Sequence, residues 1–101
     1  MSVVSNTSPI MNLAIIGQLH LLRKQFGEIR IPPAVLDELR VEDNLPGSHA
    51  LKDAISSGWI FVESVANQVF VRVLQNTLDN GESEAIALAV QLNAERILLD
   101  E

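Results

Sequence analysis

The chain has 101 residues, 48% of them hydrophobic and 20% charged, which is enough for one domain around a single core. With no cysteine, disulfides, thiolate metal sites and cysteine nucleophiles are excluded, so any metal would be held by oxygen or histidine. Seven basic residues against thirteen acidic ones give a net charge of −6, which argues against nucleic-acid binding through a broad basic surface but is offset where carboxylates converge on divalent cations.

No apolar run approaches the ~18 residues of a membrane span, and no basic stretch followed by an apolar one opens the chain. A soluble, cytoplasmic protein without a membrane partner is therefore expected. Val3 and Val4 read as a short buried strand that stops at the polar run Asn6-Thr7-Ser8. Ser8 can cap a helix that opens on Pro9 and runs to about Gly17. Leu19, Leu21, Leu22 and Phe26 continue as a second short helix, and Glu28 to Ile31 reads as a strand ended by Pro32 and Pro33.

A third helix is predicted over Pro33 to Val41, with Val35, Leu36 and Leu39 on one face. Pro46 and Gly47 break the chain, Ser48 can cap a fourth helix ending near Gly58, and Trp59 to Val62 forms a third strand with the tryptophan in the core. From Asn67 to Leu78 the apolar spacing fits a strand or a helix, and the length of the segment favours a helix. After the turn Asp79-Asn80-Gly81, Glu82 to Leu92 is an alanine-rich helix and Ile97 to Leu99 a last strand. Strands alternating with helices of this length imply a layered α/β domain with a parallel sheet.

In such sheets ligands bind beyond the carboxyl ends of the strands, where strand order reverses. Asn6 and Asp100 each follow a short apolar strand, and both point into one crevice if the first and last strands are neighbours. Taken alone, Asp or Asn at such a place more often serves a turn. Glu38 beside the core residue Leu39, and Glu84 in the first turn of the alanine-rich helix, could reach the same strand ends. Glu82 and Glu84 are two positions apart and face about 200° away from each other, so they cannot share one ion. Taken alone, Glu82 and Glu84 are each explained by the helix dipole. His20 and His49 read as surface residues, and no zinc-like spacing, dinucleotide fingerprint or phosphate loop is present.

The opening VVSNTSPIMNLAIIGQLHLL, the segment IPPAVLDELR and the segment LDNGESEAIALAVQLNAERILLDE, in that order, resemble the PIN-domain family, in particular its short prokaryotic members, the VapC-like toxin ribonucleases. The resemblance covers essentially the whole chain. It implies a three-layer fold with a central parallel sheet of about four strands, and a metal-dependent endoribonuclease using Mg²⁺ or Mn²⁺.

By position, the resemblance assigns the metal ligands to Asn6, Glu38, Glu84 and Asp100, with Glu38, Glu84 and Asp100 as the catalytic carboxylates and Thr7 or Ser8 supplying a nearby hydroxyl. RNA is the implied substrate and an antitoxin protein an implied partner. Asn6 departs from the family's acidic residue, and the chain stops where family members usually add a helix and a fifth strand. A single domain over residues 1–101 lacking those last elements is therefore expected, with an exposed last strand that favours homo-oligomerisation. The alternative reading is a catalytically inactive remnant of the fold that serves as a protein-binding or oligomerisation module.

Overall fold

A computed structural model describes residues 2–99. Four strands, β1 (Val3–Ser5), β2 (Ile29–Ile31), β3 (Ile60–Val62) and β4 (Arg96–Leu98), form one parallel sheet in the order β3-β2-β1-β4. Six helices connect them: α1 (Thr7–Ile15), α2 (His20–Phe26), α3 (Pro33–Leu39), α4 (Ser48–Ser56), α5 (Gln68–Leu74) and α6 (Asn80–Leu92). None of these helices is long and apolar enough to cross a membrane.

The two faces of the sheet bury separate apolar clusters, because successive residues of a strand point to opposite sides. Val3, Ile29, Ile31 and Ile60 join Ile10, Leu22, Leu51 and Trp59 from the side of α1, α2 and α4. Val4 faces the other way and packs with Val71 of α5 and with Ala85 and Leu88 of α6. The result is the layered α/β arrangement anticipated from the alternation of elements, in the three-layer form that the family resemblance implies. Each fully buried Val, Leu or Ile contributes about 1.5–3 kcal/mol, and both sides of the short central strand β1 are completely covered.

Helix starts differ from the sequence expectations in instructive ways. α1 begins at Thr7 with Asn6 as its extended N-cap residue, so Ser8 and Pro9 lie inside the first turn. Ser48 is already helical, and Gly47 precedes it at φ +88°. That backbone suits glycine, and a Cβ there would also come within 2.8 Å of Ala14. The hydroxyl of Ser48 instead accepts a hydrogen bond from Leu45 N at 2.9 Å. α6 begins two residues before Glu82, because the Asp79 side chain caps it by accepting from Glu82 N at 2.8 Å. The ambiguous segment is helical, and Asn67 caps α5 by accepting from Phe70 N at 3.0 Å.

Candidate active site

At the carboxyl end of β1 the chain turns directly into α1, and the first turn of that helix forms one wall of a crevice of about 520 Å³. Asn6, Thr7 and Ser8 come from this turn, with Met11 one turn further on. Glu38 enters from the end of α3, and Asp79 and Glu82 from the start of α6. β4 lies against β1 in parallel, with Leu98 opposite Ser5 and the Leu98 carbonyl accepting from Asn6 N at 2.9 Å. The backbone of Asn6 is thereby fixed to the sheet.

Within the crevice Thr7 Oγ1 donates to Glu38 Oε1 and ties the start of α1 to the end of α3. Gly81 completes the join on the other side, since a Cβ at that position would overlap the Glu38 carboxylate. Glu82 has a pKa raised above the ordinary 4.5, first by the neighbouring Asp79 charge, then by burial, by a hydrogen bond with Asp79 and by the charge of Glu38. Two helix N-termini, those of α1 and α6, begin at these carboxylates, and their positive ends offset part of the crowding.

Asn6 is 7% exposed, and its side chain does not cap α1. Its Oδ1 is buried without any hydrogen-bond partner. An unsatisfied buried acceptor costs about 1–3 kcal/mol, so the crevice holds an oxygen in need of a positive or donating neighbour. All the polar groups here are oxygen donors of the kind that hard divalent cations prefer. Among the described residues, no three acidic or histidine side chains are grouped so as to hold a metal ion. Mg²⁺ commonly takes only one or two carboxylates and keeps several waters, so Asn6 with one or two of the carboxylates Glu38, Asp79 and Glu82 fits such an ion.

Of the four residues singled out from sequence, the structure brings Asn6 and Glu38 together. Glu84 does not line the crevice: its Oε1 accepts from Ala34 N at 3.0 Å, at the opposite end of α3 from Glu38. Asp100 lies outside the described residues. Asp79 and Glu82 join the site although the sequence reading gave one to a turn and the other to the helix dipole. Their signal was available in the spacing: an N-cap residue and the residue three positions on share one side of a helix start.

Side-chain oxygens of Asn6, Thr7, Glu38, Asp79 and Glu82 thus gather beyond the carboxyl end of β1 in an all-parallel three-layer α/β domain. A family model described as a PIN domain matches residues 2–101, and the chain belongs to that family. Neither the curated proteins nor the solved structures yield a match.

Proposed function

We propose that the protein is a metal-dependent endoribonuclease of the PIN type, the toxin component of a toxin-antitoxin pair. The observation that carries this reading is the buried, unpartnered Oδ1 of Asn6 in a crevice shared with Glu38, Asp79 and Glu82. Mg²⁺ or Mn²⁺ would be held by Asn6 and Glu38, with Asp79 or Glu82 as a second carboxylate, and when bound it would supply an activated water and charge neutralisation at a phosphodiester. Thr7 keeps the Glu38 carboxylate in one orientation through its hydroxyl. Asp100, assigned to the same set by the family resemblance, remains a candidate fourth carboxylate.

A second reading, an inactive remnant that binds protein, draws on the same amide: Asn6 brings no charge to the site, and metal affinity falls with the number of charged ligands. The two readings part on one experiment. In the first, Mn²⁺ raises the melting temperature and supports cleavage of single-stranded RNA, and Glu38→Gln removes both effects, with cleavage falling by about 100-fold or more. Cleavage in excess chelator, or by the Glu38→Gln protein at the parental rate, would overturn the metal mechanism. Growth arrest on expression, relieved by the product of a small adjacent gene, tests the toxin role.

A further inference from the structure

We infer that Glu84 is a positioning residue that clasps α3 to α6 and thereby seats Glu38 in the crevice. The inference rests on the reading of that crevice as the cation site. Helix α3 opens on Pro33 directly after its N-cap residue Pro32. Neither proline has an N–H, so Ala34 N is the first donor of the helix. Val35 N and Leu36 N both bond to the Pro32 carbonyl, at 3.1 and 3.2 Å. Ala34 N is thus the one donor of this turn bonded outside its own helix, and no side chain of α3's own N-cap serves it. Ala34 is only 5% exposed, which leaves water little access, and Glu84 Oε1 accepts this bond from 50 residues away at 3.0 Å.

The second half of the inference is geometric. α3 packs along α6, and the contacts Ala34 to Glu84 and Glu38 to Gly81 run in opposite chain directions. Four positions on α3 and three on α6 separate the two contacts, so they lie about one helical turn apart. A carboxylate of α6 holds the start of α3, and one turn away a carboxylate of α3 lies across the start of α6. Releasing the first contact lets α3 shift along α6 and moves Glu38 away from Thr7, Asp79 and Glu82. Glu84 reaches the site through Glu38 and makes no demand on its own charge.

That last point gives the test, because glutamine keeps the accepting Oε1 and loses only the charge. Three proteins, Glu84→Gln, Glu84→Ala and Glu38→Gln, are compared with the parent by Mn²⁺ titration of thermal stability and by amide exchange at Ala34. Glu84→Ala is expected to weaken Mn²⁺ binding and to speed Ala34 exchange, each by about tenfold or more, while Glu84→Gln stays within about threefold of the parent in both. If Glu84→Gln loses Mn²⁺ affinity as fully as Glu38→Gln while Ala34 stays protected, Glu84 is a ligand and the inference is wrong. Parental values for Glu84→Ala would also overturn it. Parental Mn²⁺ affinity in Glu38→Gln would instead sink the cation reading, and Ala34 exchange would still decide whether the clasp exists. Should Glu84→Ala fail to fold, Glu84→Asp takes its place: it keeps the charge but is too short to reach Ala34, so positioning predicts loss and ligation predicts retention.

Discussion

Gly81 has no Cβ, and the Glu38 carboxylate occupies the space that one would fill. Alanine there improves intrinsic helix propensity by about 1 kcal/mol and yet has to push Glu38 out of its place. On the proposed function, in which Glu38 is a ligand, Gly81→Ala is therefore expected to fold and to lose at least about tenfold in Mn²⁺ affinity. Thermal melts with and without Mn²⁺ check both halves. An unchanged metal response would show that Glu38 has room to move.

Glu82 gives a pH signature at the same scale. Its folded-state pKa lies above the ordinary 4.5, chiefly because of Asp79, so the folded protein binds that proton more tightly than the unfolded chain. By linkage, the associated stability is present at pH below 4.5 and is lost as pH rises through the higher folded value. Glu82→Gln removes this dependence. The variant should show a flatter stability profile above pH 4.5 than the parent and a higher melting temperature at pH 7 in the absence of metal. Parallel profiles for the two proteins would contradict the crowding of Asp79 and Glu82.

At the level of elements, Asp79 has two roles that substitution can separate. Its side chain caps α6 through Glu82 N, and its charge lines the crevice. Asparagine caps about as well as aspartate, whereas alanine costs about 1 kcal/mol. Asp79→Asn keeps the cap and relieves the repulsion with Glu82, so it should melt at or above the parental temperature in chelator but respond less to Mn²⁺, whereas Asp79→Ala should melt below Asp79→Asn and also respond less to Mn²⁺. Equal Mn²⁺ responses in Asp79→Asn and the parent would remove Asp79 from the site.

Elements were legible where the apolar period was clean and less so where local chemistry set the boundary. Val3-Val4 and Ile29 to Ile31 are runs bounded by polar or proline residues, and they stand as β1 and β2. The start of α1 was misplaced by two residues because Asn6, Ser8 and Pro9 are all acceptable near a helix start, and only the extended backbone of Asn6 decides between them. The same limit explains the site. Asn6 and Glu38 stand out as polar residues beside apolar ones, whereas the partner of Glu84 is an amide 50 positions away that no local spacing reveals.

On the scale of the whole molecule, β4 is an edge strand with Arg96 exposed and Ile97 half-buried, and Val90 and Leu99 stand exposed nearby. A groove lined by Ile86, Ala89, Val90 and Ile97 runs beside it. Among the described residues no further strand pairs with β4, and an open edge next to apolar surface favours pairing with another chain, so self-association at micromolar concentration is the expected outcome. Sedimentation velocity over a concentration series tests this, with Ile97→Lys expected to shift the population to monomer. A parental protein that stays monomeric throughout would dismiss the edge as an assembly surface.

The strand order β3-β2-β1-β4 also fixes when the molecule can be finished during its own synthesis. Of the four strands β1 is synthesised first but acquires its second neighbour only when residues 96 to 98 arrive, and Val3 then pairs with Arg96, 93 positions further on (96 − 3). Closing so long a loop is slow compared with local helix formation. Until then the inner strand keeps one open edge, and the crevice, built from residues 6, 38, 79 and 82, waits for α6. A nascent chain halted before residue 79 carries Asn6 and Glu38 without Asp79 and Glu82, so chain elongation itself times the assembly of the crevice.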